Sequence, residues 1–551
     1  MSAEPLAGAA PGSGPAAGPG APAVASRAWP FLLLALGLLG VGLAYWRPVP
    51  AGVWHDDGVY MVIGEALSQG HGLRYGGVPG ELPAVKFPPL YPGLLGLLWV
   101  VLGSVGPVTL AAELLNLLLL AAAGGLLAWA LHVGAGLRRR EALAVGALAF
   151  ISADVWRTAL VPLSEPLFLA LASAALALWP RASRRGEVRW ASLLAALLVA
   201  VVLTRTAGVA VVAGFAVALT ARRSVRAAAV VTAPALLAMA AWGAWASSRA
   251  AAIPEGLRDV LGPYGGWLAG QFLGSPGAFL AGLPTHANNV IGRVLALLVP
   301  GLTGPWLWVA AVPLGAAAVA GGWVLARRLP PLPWIALAYL GMLLTWPYVD
   351  RRLVAPLHPW LVVAVGVGVL DALRRLGAWS APMVPRLRQA LGVVALCWVV
   401  AFASVSAGRA ARGWVVAPYQ LRAGRLAAAV EVLQNTAPAT AVVGAPEFWA
   451  ALHLHGGWAT APSARFMPRS EDEAAPVWGT AEEQLALWWA VGVDHVLLEQ
   501  GGQIHGAALD LLQARCPGSV AILARMPPQL VVRLSWDEAC AASLGLRRRE
   551  P

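Results

Sequence analysis

The sequence predicts a polytopic α-helical membrane protein of about eleven transmembrane helices, followed by a small α/β domain. Of its 551 residues, 59% are hydrophobic and only 12% are charged, whereas soluble domains carry about 25% charged residues. Long apolar runs recur along the chain, each near the length that crosses the hydrocarbon core of a bilayer. Basic residues cluster between these runs, which is typical of cytoplasmic loops. This composition excludes a soluble enzyme and a disordered protein.

Residues 1–29 are rich in Ala, Pro and Gly and nearly lack charge. Such a stretch cannot bury a core, so we expect a disordered cytoplasmic tail. The first apolar run, 30–46, follows a single arginine and has no convincing small-residue cleavage site. We therefore interpret it as a retained first span rather than as a signal peptide.

Five arginine clusters set the predicted topology of region 30–407. They are 138–140; Arg181, Arg184, Arg185 and Arg189; Arg222, Arg223 and Arg226; Arg327 and Arg328; and Arg374, Arg375, Arg386 and Arg388. If all five lie in the cytoplasm, a pair of crossings separates successive clusters. Apolar runs supply them at 107–133, 141–159, 165–180, 190–204, 207–221, 227–247, 303–325, 333–347, 354–370 and 389–407. This topology places the N-terminus inside and the C-terminus outside, and it explains the net charge of +12 without nucleic acid as a partner.

Three segments then lie outside: loop 47–106, loop 248–302 and the terminal domain 408–551. The first loop contains an apolar stretch, 90–102, which is too short to span and is predicted to lie along the interface or re-enter the membrane. The terminal domain has helical spacing at 419–433 and 481–490. Short apolar strands are predicted at 440–443, 495–498, 519–523 and 530–534, which together indicate an α/β fold.

No catalytic signature stands out in the terminal domain, but two pairs of its residues are of types that form disulfides or bind metal ions. Cys516 and Cys540 are expected to form a disulfide if the domain faces an oxidising compartment and they lie close together. His453 and His455 are interpreted as surface or packing residues, because no third metal ligand is near them in the sequence.

The first loop carries the strongest candidates for chemistry. Asp56 and Asp57 are adjacent, so their repulsion could raise the pKa of one carboxyl and make it a general base. They could equally bind a divalent cation, or act as an acidic N-cap for a helix over 59–67. Lys86 is the only lysine among 39 basic residues. The ammonium group of a lysine is a compact charge that suits a phosphate. The alternative interpretation is that Lys86 snorkels to the membrane interface, but an arginine would do this equally well.

Several motifs, taken in order, resemble the GT-C membrane glycosyltransferases, and by pattern the branch of bacterial protein O-mannosyltransferases and lipid A aminoarabinose transferases. The motifs are Asp56-Asp57-Gly58-Val59-Tyr60, Gly70-His71-Gly72, Lys86-Phe87-Pro88-Pro89-Leu90-Tyr91-Pro92, Ser164-Glu165-Pro166, Leu203-Thr204-Arg205 and Arg351-Arg352-Leu353 through Pro359. The resemblance covers roughly residues 30–375. The chain departs from the usual pattern at Asp57, where those families have Glu, at the inserted Phe87, and at Leu353, where they have Tyr.

The resemblance implies a GT-C-like fold and transfer of a sugar from a polyprenyl phosphate to a lipid, glycan or protein acceptor. The reaction would take place on the extracytoplasmic side of a bacterial inner membrane. The implied catalytic residues are Asp56 as base, Asp57 as its assistant and Glu165 as a second acid. Lys86, Arg205 and Arg352 would bind the donor phosphate, and Tyr60 and Tyr91 the substrate. The only cofactor considered is a divalent cation at Asp56 and Asp57.

A transporter or flippase for a lipid-linked substrate is the alternative function. Such a protein is expected to contain internal repeats and charged groups near the middle of the membrane. No repeat is evident in the sequence, and the acidic residues fall at the predicted outer ends of helices.

Overall fold

The computed structural model describes residues 25–184, 187–222, 225–265, 273, 276–299, 301–346, 350–378, 384–413, 416–445, 448–462, 480–499, 503–527 and 529–546. Most of the predicted disordered tail therefore lies outside the described residues. The chain is helical from Ala25 onward, so the first helix begins inside the segment that we assigned to the tail.

The described residues before 412 are mostly helical. Its helices are α1 (Ala25–Tyr45), α2 (Asp56–Ser68), α3 (Leu90–Leu102), α4 (Val105–Val133), α5 (Arg139–Ala149), α6 (Ala153–Arg157), α7 (Glu165–Ala182), α8 (Val188–Thr204), α9 (Gly208–Arg222), α10 (Val225–Ala250), α11 (Arg258–Leu261), α12 (Pro276–Leu298), α13 (Pro305–Arg328), α14 (Pro331–Thr345), α15 (Arg351–Val354), α16 (His358–Gly377) and α17 (Val384–Ala411). Ten of the eleven predicted spans each correspond to one of these helices.

Six described helical stretches are long and apolar enough to cross a membrane. They are Ala28–Tyr45, Val105–Val133, Val225–Ala250, Pro305–Arg328, Arg351–Gly377 and Val384–Ala411. The helices α3, α8, α9 and α14 are apolar but shorter. The prediction of a multi-pass helical membrane protein is therefore confirmed.

The predicted span 141–159 is wrong as a single helix. Here α5 ends at Ala149, and a short α6 begins only at Ala153. Inside the break, the Trp156 indole N–H donates to the Phe150 carbonyl at 2.7 Å, and both side chains are fully buried. A break of this kind is tolerated where protein surrounds it and its polar groups find partners. Hydropathy did not reveal it, because two of the three residues at the break, Phe150 and Ile151, are apolar.

The second predicted loop, 248–302, is also more ordered than expected. It contains α12, a helix of 23 residues. Pro284, Asn288, Asn289 and Arg293 interrupt its apolar pattern, which is why the sequence favoured a loop.

Among the described residues, arginines of all five clusters lie at one end of the helix bundle. Arg138 and Arg374 each pair with Glu141 at 2.5 Å, which joins the first cluster to the fifth. Arg222 donates to the carbonyl of Arg327, which joins the third to the fourth. Gly134 brings the second cluster to the same place. A Cβ atom at Gly134 would lie 2.8 Å from Leu329, which follows the fourth cluster, and 3.5 Å from Pro180, which precedes Arg181 of the second cluster. The first loop and the start of α7 lie at the opposite end.

The terminal domain contains a five-stranded sheet in the order β2-β1-β3-β5-β4. Its elements are α18 (Ala417–Thr436), β1 (Val442–Ala445), α19 (Trp449–Gly456), β2 (Ala459–Pro462), α20 (Ala481–Val491), β3 (His495–Glu499), α21 (Gln503–Arg515), β4 (Val520–Met526), β5 (Gln529–Leu534) and α22 (Glu538–Ser543). Strand β1 runs parallel to β2 and β3, and β5 runs antiparallel to β3 and β4. The expected disulfide joins Cys516 to Cys540.

Candidate active site

A cavity opens at the end of the bundle that carries the first loop. Its charged lining residues are Asp56, Lys86, Arg205, Asp350, Arg352 and Arg422. One side of it is apolar and is formed by Val260, Met342, Leu343, Trp346 and Leu353. The structure therefore brings four of the sequence-predicted charged residues into one cavity whose lining is otherwise mainly apolar.

Asp56 lies in the first turn of α2 and faces this cavity. Its carboxylate pairs with Arg352 Nη2 at 2.5 Å and with His55 Nδ1 at 3.2 Å. Burial raises the pKa of Asp56, but the Arg352 guanidinium, His55 and Lys86 more than offset this, so the pKa lies below its usual range. Asp56 is thus ionised at neutral and mildly acidic pH. The capping interpretation is wrong, because the helix begins at Asp56 itself and His55 holds the N-cap position.

Asp57 points away from the cavity and is fully buried. Its carboxylate accepts hydrogen bonds from the backbone N–H groups of Gly52 at 2.8 Å and Trp54 at 2.9 Å. Burial raises the pKa of Asp57, and these amides partly oppose that effect. The adjacent acids therefore have different environments: Asp56 faces the cavity, and Asp57 holds the turn that precedes it.

Glu165 begins α7 directly behind the cavity wall and is fully buried. Its Oε1 pairs with Arg205 Nη1 at 2.6 Å and with Arg352 Nε at 3.0 Å. Arg205 sits in the short connection between α8 and α9 and also donates to Ser164 Oγ at 3.1 Å. Asp56, Arg352, Glu165 and Arg205 thus form one chain of alternating charge, in which Glu165 orients two arginines rather than facing the cavity itself.

Lys86 also lines the cavity, close enough to Asp56 to help lower the pKa of that carboxyl. Its Nζ donates to the Val260 carbonyl at 2.9 Å and lies 5.0 Å from the centre of the Tyr264 ring. Phe87, the residue inserted into the motif, lines the cavity and packs against Tyr60 with ring centres 4.7 Å apart.

The two predicted substrate-binding tyrosines differ in position. Tyr60 lines the cavity, and its hydroxyl shares a hydrogen bond with Ser164 Oγ at 2.9 Å. Tyr91 is fully buried beneath it and donates to Asn116 Oδ1 at 3.2 Å. Tyr91 therefore supports Tyr60, with ring centres 5.1 Å apart, and is not a cavity residue.

Sequence reasoning missed several cavity residues. Arg422 comes from α18 in the terminal domain, to which we had assigned no chemistry, and it lies over the ring of Trp54. Nothing in the local sequence distinguishes it from the other arginines of that domain. Tyr339 stands beside Leu353, where the related motif has a tyrosine, and donates its hydroxyl to the Leu353 carbonyl at 2.8 Å.

Asp56 and Asp57 do not fit a shared divalent cation. A cation needs carboxylate oxygens that converge on one point, whereas one of these carboxylates meets a guanidinium and the other meets two backbone amides. Within the described ranges, no three His, Cys, Asp or Glu side chains are grouped as a metal site. His453 and His455 instead bond to the carbonyls of Trp458 and Ala51.

No protein-family model matches the chain, and no curated protein matches it in sequence. Solved structures do match. The structure of ArnT from Cupriavidus metallidurans bound to undecaprenyl phosphate matches with a TM-score of 0.52 and 16% identity, over 93% of this chain and 98% of that chain. The structure of the same protein in the apo state matches with a TM-score of 0.51 and 15% identity, over 95% of this chain and 100% of that chain.

An oligosaccharyltransferase from Archaeoglobus fulgidus, solved with zinc and sulfate, matches with a TM-score of 0.50 and 13% identity. The match covers 85% of this chain and 67% of that chain. Both proteins are members of the GT-C superfamily. The resemblance seen in the motifs is therefore confirmed at the level of the fold: this chain has the GT-C fold.

Proposed function

We propose that the protein is a membrane glycosyltransferase that moves a sugar from a polyprenyl-phosphate donor to an acceptor on the extracytoplasmic side. One observation carries the proposal: a single cavity is lined by an ionised carboxylate, Asp56, by the ammonium of Lys86 and by several apolar side chains. Glycosyl transfer needs these three features, namely a base, a partner for phosphate and a surface for the lipid.

In the proposed reaction the acceptor hydroxyl attacks the anomeric carbon of the sugar. The new C–O bond forms as the bond to the lipid phosphate breaks, and the phosphate leaves with the electron pair. Asp56 takes the proton of the hydroxyl. Because Arg352 lowers the pKa of Asp56, the carboxylate is a weak base that acts late, when the hydroxyl has become acidic through bond formation.

The cations of the cavity would stabilise the departing phosphate. Lys86 provides a compact charge, while Arg205 and Arg352 are held in place by Glu165. Such preorganised donors stabilise charge that develops in the transition state without further rearrangement. Glu165 is thus proposed as an orienting residue.

The apolar side of the cavity would receive the first isoprene units of the donor. Val260, Leu343 and Leu353 line this side, and α14, which carries Leu343, is an apolar helix. The neighbouring ArnT structure contains undecaprenyl phosphate, a lipid of this chemical class. A transporter is expected to place its charges near the middle of the membrane, whereas here they lie where α7, α9 and α15 begin.

Substitution of Lys86 tests the donor side of the proposal. In Lys86→Ala we expect affinity for undecaprenyl phosphate to weaken about 10- to 100-fold, since a hydrogen bond to a charged group contributes about 1.5–3 kcal/mol. Transfer of a radiolabelled sugar from the lipid donor should fall as well. Lys86→Arg should keep partial activity, because the charge remains while its geometry changes.

The matched control is Arg74→Ala, which removes an exposed cation from the same loop, where it bonds to the carbonyls of His71 and Glu81. This variant should bind the donor normally. A fully active Lys86→Arg together with normal donor binding by Lys86→Ala would support snorkelling and contradict the proposal.

We also propose eleven crossings, with the arginine end of the bundle in the cytoplasm. The broken stretch α5–α6 still leads from the arginine end to Ser164 at the cavity, so it counts as one crossing with a buried irregular portion. The Cys516–Cys540 disulfide supports an oxidising compartment for the terminal domain.

Reporter fusions test this orientation. Alkaline phosphatase, which is active only where disulfides form, should be inactive when fused after Arg140 and active when fused after Arg409. A cytoplasmic fluorescent reporter at the same two positions should give the reverse pattern. Equal signals at the two positions would contradict the proposed topology.

A further inference from the structure

The terminal domain contacts the turn that carries Asp56. This turn, residues 51–58 (the Asp56 turn), connects the end of the first span to α2. Three of its residues, Ala51, Gly52 and Val53, are completely or almost completely buried, although the segment lies in the loop between two helices. Residues of α18 and α19, which are about 400 residues away in the sequence, contact this turn.

The Asp56 turn has a conformation that it would not hold alone. His55 has φ of 87° and ψ of −71°, a region that costs free energy for any residue other than glycine. Such a conformation persists only when its surroundings enforce it. Inside the turn, the Asp57 carboxylate binds the N–H groups of Gly52 and Trp54 and so fixes the chain on both sides of the strained residue.

Helix α19 packs directly against the backbone of this turn. A Cβ atom added to Gly52, whose φ is 89°, would lie 2.4 Å from the Cβ atom of Ala451. A Cβ atom added to Gly58 would lie 3.1 Å from that of Ala450. Both glycines therefore meet small residues of α19, and there is no room for a larger side chain at either contact.

Polar and aromatic contacts add to this packing. The Nε2–H group of His455 donates to the Ala51 carbonyl at 2.9 Å. Trp54 meets Tyr419 edge-on with ring centres 5.6 Å apart, and the Arg422 guanidinium lies over the same indole. The terminal domain thus touches the Asp56 turn at its first residue, at its last residue and at Trp54 between them.

We propose that the terminal domain positions Asp56 for catalysis, with Ala451 and His455 of α19 as positioning residues that hold the Asp56 turn in its strained conformation. The inference rests on the proposed role of Asp56 as base, and it assigns the terminal domain a task in the reaction. Two of the three proposed phosphate-binding cations, Lys86 and Arg205, lie outside the turn, so we expect most of the donor affinity to be independent of α19.

The main test is Ala451→Leu, which forces larger atoms against Gly52. We expect the backbone amides of Gly52 and Trp54 to exchange with deuterium at least tenfold faster than in the unsubstituted protein. We expect kcat for sugar transfer to fall at least tenfold, while affinity for undecaprenyl phosphate changes less than twofold. The matched control is Ala507→Leu on the exposed face of α21, which should change none of the three quantities.

His455 supplies a milder second test. His455→Ala removes the donor to the Ala51 carbonyl and should speed amide exchange and lower kcat. His455→Gln keeps an N–H donor, so it should restore most of the protection from exchange and most of kcat.

Unchanged amide exchange in Ala451→Leu overturns the inference, even if the protein transfers no sugar. Equal losses of kcat and donor affinity in both α19 variants also overturn it, because they indicate general destabilisation. An unsubstituted protein without transfer activity, but with the expected exchange pattern, contradicts only the proposed function.

Discussion

Asp56→Asn is expected to lower sugar transfer about a hundredfold or more, the usual effect of losing a general base, while leaving donor binding nearly unchanged. Asparagine keeps the size of the side chain but cannot take the proton of the acceptor. Arg352 keeps its contact with Glu165 at 3.0 Å, so the arginine remains in place and the protein should fold normally. Initial rates at matched membrane protein levels, together with equilibrium binding of undecaprenyl phosphate, provide the measurement.

Asp371→Asn is the control for this substitution, because Asp371 pairs with Arg375 on the surface of α16 far from the cavity. Asp57→Asn offers a sharper contrast. It should weaken the Asp56 turn by losing one of two amide bonds, and so lower stability more than it changes donor binding. If Asp57→Asn abolished transfer in a stable protein while Asp56→Asn stayed active, the roles of the two acids would have to be exchanged.

Arg352→Met is expected to abolish detectable transfer and to destabilise the protein. Arg352 joins Asp56, which lines the cavity, to Glu165, which is completely buried. Removing one partner of a buried ion pair costs about 3–5 kcal/mol, because a charge is left uncompensated. Glu165 keeps its ion pair with Arg205 at 2.6 Å. We therefore expect the free energy of unfolding, measured with denaturant in detergent, to fall by about 3 kcal/mol, the lower end of this range.

Arg352→Lys separates the effect of charge from that of geometry. Lysine keeps the positive charge, but it cannot reach two carboxylates with the planar fork of a guanidinium. We expect most of the stability to return, while the rate of sugar transfer stays at least tenfold below that of the unsubstituted protein. Arg351→Met, at the exposed neighbouring position, should match the unsubstituted protein in both measurements. An active, stable Arg352→Met would show that the charged chain is not required.

The sequence predicted part of the candidate site because several functional residues lie in short local motifs. Asp56, Tyr60 and Lys86 fall within one loop, and the structure places all three around the cavity. The sequence could not separate Asp56 from Asp57. Their environments depend on Arg352, 296 residues away from Asp56, and on the backbone fold of residues 52–54.

Two further features followed from contacts that no local pattern encodes. Glu165 was predicted to act on substrate, whereas the fold places it behind two arginines, where it can only orient them. Arg422 reached the cavity because α18 and α19 pack on the first loop. The strands of the terminal domain were predicted more accurately, since β1, β3, β4 and β5 are each short apolar runs; β2 was missed.

The sequence by itself determined that this is a multi-pass helical membrane protein, because hydropathy acts residue by residue and long apolar helices are its direct consequence. It also predicted that Asp56, Tyr60 and Lys86 of the first loop belong to the candidate site, and all three line the cavity. Only the tertiary structure decided where an apolar run breaks, at 150–152, and which carboxylate faces the cavity. It alone decided that the terminal domain packs against the Asp56 turn. These outcomes depend on which surfaces pack together and which charges pair, and such partners lie far apart along the chain.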